Sequence, residues 1–162
     1  RRRGSIGSQH ALGRSPKSRS ALEASLLGIV DRVTRRMRNA GRAGRTITVR
    51  LRFDDFTRAT RASSLPHPTA ATEPIRDVAL ALFDTAMPMI AERGLTLIGL
   101  SVGNLCDLER DPEQLLLSFH RADRTRLDTT LDDLRKRFGN AVVTRASLLG
   151  RNTGFEVPKL PD

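Results

Sequence analysis

Between Arg45 and Phe53 every second residue is apolar: Ile47, Val49, Leu51 and Phe53 alternate with Thr46, Thr48, Arg50 and Arg52. Strict alternation is the signature of a strand with one face buried and the other open. The chain must therefore supply something to cover the apolar face while leaving a basic, hydroxyl-bearing face uncovered. Two flanking segments have the right pattern. Residues 20–40 place Leu22, Leu26, Ile29, Val30, Val33 and Met37 at helical spacing, with Ser20 as the expected N-cap, Glu23 completing a capping box, and Gly41 and Gly44 ending the helix. Residues 73–92 do the same with Ile75, Val78, Ala79, Leu82, Phe83, Ala86 and Ile90, and Pro88 is expected to kink or unravel the last turn.

The remaining strands follow from turn chemistry and alternation. Asp54-Asp55 reads as a turn, Thr57–Ser64 as the second arm of a hairpin, and Leu65-Pro-His-Pro68 as its close. Leu95 to about Leu105 reads as another strand, with Ile98, Leu100 and Val102 facing the core and Gly99, Ser101 and Gly103 on the other face. Residues 5–12 alternate loosely and allow a short edge strand. The expected order over residues 5–105 is β-α-β-β-α-β. The fold class is α+β: a four-stranded, mainly antiparallel sheet with two helices on one face, plus a C-terminal helix.

Charge says what such an open face could meet. Residues 1–65 hold 16 Lys/Arg against 4 Asp/Glu, whereas residues 66–162 hold 12 against 14, so the net charge of +10 resides in the first part. Guanidinium groups, hydroxyls and backbone amides are donors to phosphate oxygens, which points to a nucleic-acid backbone. With no Trp, no Tyr and 6 Phe, base stacking cannot be the main mode. Two other readings stay open: an RNA-recognition-like module, which has the same element order but expects aromatics on its central strands, and a protein–protein scaffold.

Enzymatic chemistry finds little support. Cys106 is the only cysteine, which excludes an internal disulfide or a multi-cysteine metal site. His10, His67 and His120 lack ligand spacing, Asp54-Asp55 reads as turn chemistry, and Asp132-Asp133 as a solvated helix-surface pair. No apolar run reaches the roughly 18 residues of a membrane span. Arg1 in place of an initiator Met, with no signal-peptide core, gives the expectation of a piece of a longer protein in a reducing cytoplasmic, nucleoid-associated setting.

Beyond the sheet domain, an acidic spacer from Asp107 to Glu113 precedes Gln114-Leu115-Leu116-Leu117-Ser118-Phe119. By spacing alone this segment is either a short buried strand of the chain's own core or a peptide that docks into a partner's groove. Residues 123–138 read as a third helix with an apolar stripe of Leu127, Leu131, Leu134 and Phe138. Its Asp128, Asp132 and Asp133 come early and its Arg135, Lys136 and Arg137 late, as the helix dipole favours. Gly139 ends it, Val142-Val143 allow a short strand, and the tail from Gly150 is expected to be mobile. The expected divisions are a linker and first strand (1–13), a sheet domain (5–105), a spacer and docking peptide (106–119), and a C-terminal helix and tail (120–162).

Several ordered segments carry a resemblance: Arg3-Gly-Ser-Ile-Gly-Ser8, the Thr46–Phe53 strand, the Phe53-Asp-Asp-Phe-Thr57 turn and Leu97-Ile-Gly-Leu-Ser-Val102. Together they resemble the linker and little finger of Y-family DNA polymerases of the DinB (DNA polymerase IV) type, and a helix like 127–139 follows in many members. The resemblance implies the DNA-binding domain of an error-prone translesion polymerase, gripping template-primer duplex DNA across its backbones. It assigns contacts to Arg3, Ser5, Gly7, Ser8, Thr48, Arg50, Arg52, Arg58, Thr60, Arg61, Gly99 and Ser101. It also places a clamp-binding peptide at Gln114–Phe119. There Gln114 would enter a polar pocket of the DNA polymerase III beta sliding clamp, and Leu115, Leu117 and Phe119 would fill its apolar groove. Ser118 departs from the family, where many versions have Pro or no residue. The Mg²⁺-binding carboxylates of the parent polymerase would precede residue 1, leaving this chain without catalytic residues, metal or cofactor.

Overall fold

The structure is a computed structural model that describes residues 4–108, 121–140, 142, 143 and 146. Its elements are β1 (Ser5–Ala11), α1 (Arg19–Asn39), β2 (Arg42–Arg52), β3 (Arg58–Thr69), α2 (Thr72–Arg93), β4 (Leu97–Gly103), the short β5 (Cys106–Asp107) and α3 (Arg121–Phe138). The strands run β1-β4-β2-β3, each pair antiparallel, and β5 pairs with Arg42–Ala43 at the start of β2. This is the expected α+β arrangement.

Both amphipathic helices lie on one face of the sheet. The predicted stripe of α1 packs with Ile75, Ala79, Phe83, Ala86 and Ile90 of α2 against Ile47, Val49, Leu51, Phe53, Ile98, Leu100 and Val102, all buried; Val78 and Leu82 lie at its margin. Burying each large apolar side chain contributes about 1.5–3 kcal/mol. This packing holds the opposite face open.

Local details depart from the expectations. The cap of α1 is Ser18, whose Oγ accepts from Ala21 N at 3.2 Å, and not Ser20. Glu23 completes no capping box there; it takes Arg19 Nε at 2.7 Å, and Arg19 also reaches Asp84 at 2.6 Å. Gly41 ends α1 with φ of 60°, but Gly44 lies inside β2. Pro88 does not unravel α2, which continues to Arg93 and ends at Gly94, φ 67°. Proline removes one helical N–H bond, and Ile90, buried beyond it, keeps the last turn seated on the core.

β3 does not close at Leu65 but runs to Thr69. Its register jumps there: Ser64 faces Thr46, and Thr69 faces Gly44. Pro66 and Pro68 fall in this irregular stretch of an edge strand, where proline's missing amide costs no ladder bond. β4 stops at Gly103 because Asn104 adopts φ of 50° and turns the chain towards β5. Val142 and Val143 form no strand; Val142 N donates to Gly139 O, and Val143 O accepts from Arg135 Nε at 3.1 Å.

Helix α3 docks on the side its sequence pattern did not indicate. Asp128, Asp132 and Arg135 are buried, while Leu127 and Phe138 are 58% and 63% exposed and Leu131 and Leu134 are half-buried. Asp132 is therefore no solvated surface carboxylate, although Asp133 is exposed. Arg38 of α1 clasps Asp132 through Nε at 2.6 Å and Nη2 at 3.2 Å, and its Nη1 lies 3.5 Å from Asp128. Arg135 pairs with Asp31 at 3.3 Å. Asp128 Oδ2 accepts from Thr72 N at 2.8 Å, supplying the cap that Ala71 cannot offer to α2.

Candidate nucleic-acid interface

The strand registers convert the alternation of each strand into rows across the open face. Four rows result: Ser5–Gly103–Thr46–Ser64, Gly7–Ser101–Thr48–Ala62, Gln9–Gly99–Arg50–Thr60 and Ala11–Leu97–Arg52–Arg58. The face is graded. At one end it offers hydroxyls, with Thr46 Oγ1 and Ser64 Oγ 2.9 Å apart and Asn104 Nδ2 donating to Thr46 Oγ1 at 2.8 Å. At the other end it gathers Arg50, Arg52 and Arg58. Arg50 and Arg58 are exposed, and Arg52 is held by Nε to Thr96 Oγ1 at 3.3 Å.

Most of the sequence-derived contact residues meet here. Ser5, Gly7, Thr48, Arg50, Arg52, Arg58, Thr60, Gly99 and Ser101 share the face. Two do not. Ser8 pairs with the core residue Leu100, so its side chain turns to the helices, where its Oγ accepts from Arg32 Nη1 at 3.0 Å. Arg61 pairs with the core residue Val49 and reaches across to Met89 Sδ at 3.3 Å. Strand parity separates both from their neighbours, and that signal was available in the sequence. Arg3 and the peptide residues Gln114, Leu115, Leu117 and Phe119 lie outside the described residues.

The glycines serve the sheet itself. A Cβ on Gly99 would stand 3.2 Å from Gln9 Cβ, and one on Gly7 would stand 2.9 Å from Ser101 Cβ and Leu100 O. Their smallness lets the side chains of β1 and β4 interleave; the space over Gly99 is taken by Gln9, a face residue that the sequence reading did not single out.

Beyond the cationic end lies the Asp54-Asp55 turn. Asp55 Oδ1 accepts from Thr57 N at 3.0 Å and from Thr57 Oγ1 at 2.5 Å, and Oδ2 accepts from Arg93 Nη2 at 2.6 Å. The Thr57 hydroxyl and then the Arg93 guanidinium hold the Asp55 carboxyl at about 2, below its ordinary 3.8. Turn chemistry accounts for this carboxylate. At the same tip Phe56, φ 64°, is exposed with Arg14 4.9 Å above its ring centroid. Among the described residues, no three His, Cys, Asp or Glu cluster closely enough to hold a metal ion. No helix among them is long and apolar enough to cross a membrane.

Comparison with known proteins adds the following. The model of the impB/mucB/samB family C-terminal domain matches residues 3–117. DNA polymerase IV 2 of Mesorhizobium japonicum is 34% identical over 160 residues, covering 88% of this chain and 37% of the relative. DNA polymerase IV of Moorella thermoacetica is 34% identical over 148 residues, covering 90% and 36%. The chain thus spans little more than a third of the length of the curated relatives it matches. A solved post-insertion binary complex of Dbh DNA polymerase aligns at a TM-score of 0.55 with 14% identity, over 64% of this chain and 29% of that one, a likeness of fold.

Proposed function

Since this chain belongs to the impB/mucB/samB family and carries its C-terminal domain, we propose that it is the duplex-gripping little finger of an error-prone, Y-family translesion DNA polymerase. The observation that carries this reading is the graded open face, with Arg50, Arg52 and Arg58 at one end and hydroxyls across the rest. Guanidinium groups and hydroxyls on a rigid sheet meet phosphate oxygens of both strands without reading base edges, so grip is independent of sequence and tolerant of a distorted template. The open-face positions of the two central strands are Thr46, Thr48, Arg50, Arg52, Leu97, Gly99, Ser101 and Gly103. None is aromatic, which disfavours an RNA-recognition module.

In this reading the chain supplies binding, not chemistry. Nucleotide transfer and the Mg²⁺ it uses would be the work of other parts of such a polymerase. The peptide Gln114–Phe119 tethers the enzyme to the DNA polymerase III beta sliding clamp, raising its effective concentration at the primer end. The setting is cytoplasmic, on the nucleoid, with no membrane partner.

Duplex binding across a salt series tests the grip. Replacing Arg50 by Ala should lower the slope of log affinity against log salt by about 0.9, as expected for one lost phosphate contact. A wild-type affinity that does not respond to salt removes the reading. For the tether, Gln114→Ala combined with Phe119→Ala should abolish capture by the clamp.

A further inference from the structure

The turn between β2 and β3 puts an aromatic residue where glycine would fit best. Phe53 N donates to Thr57 O at 2.9 Å and Phe56 N to Phe53 O at 3.0 Å. These bonds close a hairpin loop whose last residue, Phe56, is left-handed at φ 64°. In that conformation Cβ crowds the carbonyl that follows, and bulky residues rarely adopt it. Burial does not offset the cost, because Phe56 is 60% exposed. Phe53, three residues earlier, is fully buried, so the core takes one ring of this turn and leaves the other outside. A strained residue that packs nothing points to a use outside the fold.

The ring stands at the cationic end of the sheet. Arg52 and Arg58 are the last cross-strand pair before the turn, and Arg50 follows two residues back on the same face. Arg14, exposed in the loop after β1, holds its guanidinium carbon 4.9 Å from the ring centroid. The acids of the turn are engaged at the end of α2. Asp55 takes Arg93 at 2.6 Å, and the Asp54 carboxylate lies over Gly94, where a Cβ would collide with it. An exposed aromatic ring beside phosphate-binding cations suits single-stranded nucleic acid: the cations take the backbone and the ring stacks on a base. Paired bases inside a duplex are already stacked on one another, so such a ring reaches only a base beyond the duplex end.

We infer that Phe56 stacks on an unpaired base where the duplex held by the open face gives way to single strand, with Arg14 and Arg58 beside the flanking phosphates. This rests on the duplex-gripping reading. It adds one stacked base at the tip and leaves the backbone contacts of the sheet as the main grip. The turn's own hydrogen bonds hold Phe56 in place without support from the core, so the ring is preorganised for a flat partner. Arg14 over the ring is drawn to its π face and keeps its charge at the site.

The test compares wild type, Phe56→Leu and Phe56→Gly in the 162-residue chain. Each is titrated with a blunt duplex and with the same duplex carrying a short single-stranded extension, 5′ and 3′ in turn. Phe56→Leu keeps the apolar bulk and every charge but has no π face. It should lose at least about fivefold in affinity for one of the extended duplexes and nothing for the blunt one. Phe56→Gly should show the same selective loss, and by relieving the left-handed strain it should not lower the thermal midpoint. If Phe56→Leu holds both extended duplexes as tightly as wild type, or if Phe56→Gly lowers the midpoint, the ring serves the turn or a protein partner and this inference falls. Salt-dependent binding of the blunt duplex would then leave the duplex-gripping reading standing. If wild type itself fails to bind duplex, both readings fall.

Discussion

Helices α1 and α2 meet the sheet through Leu, Ile, Val, Met, Phe and Ala, whereas α3 meets α1 and the start of α2 through Asp128, Asp132 and Arg135. The first interface gains stability from every apolar atom removed from water and tolerates many arrangements of like volume. The second gains little net energy, because desolvating charges offsets their attraction, but it accepts only one geometry. Arg38 must address both Asp128 and Asp132, and Asp128 must reach Thr72 N. The difference teaches that the sheet domain holds itself together, while α3 is located on it by matched charges. The open side of the sheet depends on the first interface and not on the second.

Attacking the apolar interface should have the largest effect. Phe83→Ala leaves a cavity under the sheet and should cost about 3–5 kcal/mol of unfolding free energy in a denaturant titration. A loss below about 1 kcal/mol would mean that the core repacks freely.

Next is Arg38→Ala. A buried carboxylate that loses its partner costs about 3–5 kcal/mol if it stays buried. Here α3 can leave and rehydrate its aspartates, so the cost is capped by the docking energy of α3. Hydrogen exchange should show α3 amides losing protection while those of β2 and β4 keep theirs. Equal loss in all three elements would erase the distinction between the two interfaces.

The sharpest contrast is the double change Leu127→Ser with Phe138→Ser. Both side chains are mostly exposed, so stability should move by no more than about 0.5 kcal/mol and α3 should stay protected. If α3 lost protection, its apolar stripe would be the docking face after all.

The smallest effect lies at the hairpin tip. The Asp55 carboxyl is held at about 2 in the folded chain against an ordinary 3.8. A depressed carboxylate contributes stability above its unfolded pKa and loses it as pH falls through the folded one. Local order of the Asp54–Thr57 turn should therefore fade between roughly pH 4 and pH 2, followed by the amide shift of Thr57. Asp55→Asn should remove that titration without altering the rest of the sheet.

Much of this was legible because backbone geometry imposes its periods on short stretches. Ile47, Val49, Leu51 and Phe53 could face only one way, and the α1 stripe matched the buried side that the sheet required. Parity also held information that residue-by-residue resemblance passes over. Ser8 and Arg61 sit one step from Gly7 and Thr60, and one step along a strand is the other face. The cap at Ser18 and the extension of β3 through Pro66 and Pro68 were less legible, since each depends on how one edge settles against its neighbour.

Helix α3 shows the boundary most clearly. Its Leu127, Leu131, Leu134 and Phe138 form an apolar stripe in sequence, yet the stripe lies mostly outward. Sequence by itself determined which residues share a face, on the strands and on all three helices, because that follows from the local rise and turn of the backbone. Only the tertiary structure decided which face of α3 is buried, because that choice depends on the surface it meets. Arg38, Asp31 and the uncapped amide of Thr72 come from distant parts of the chain. Once folding brings them together, they favour carboxylates and a guanidinium over leucine.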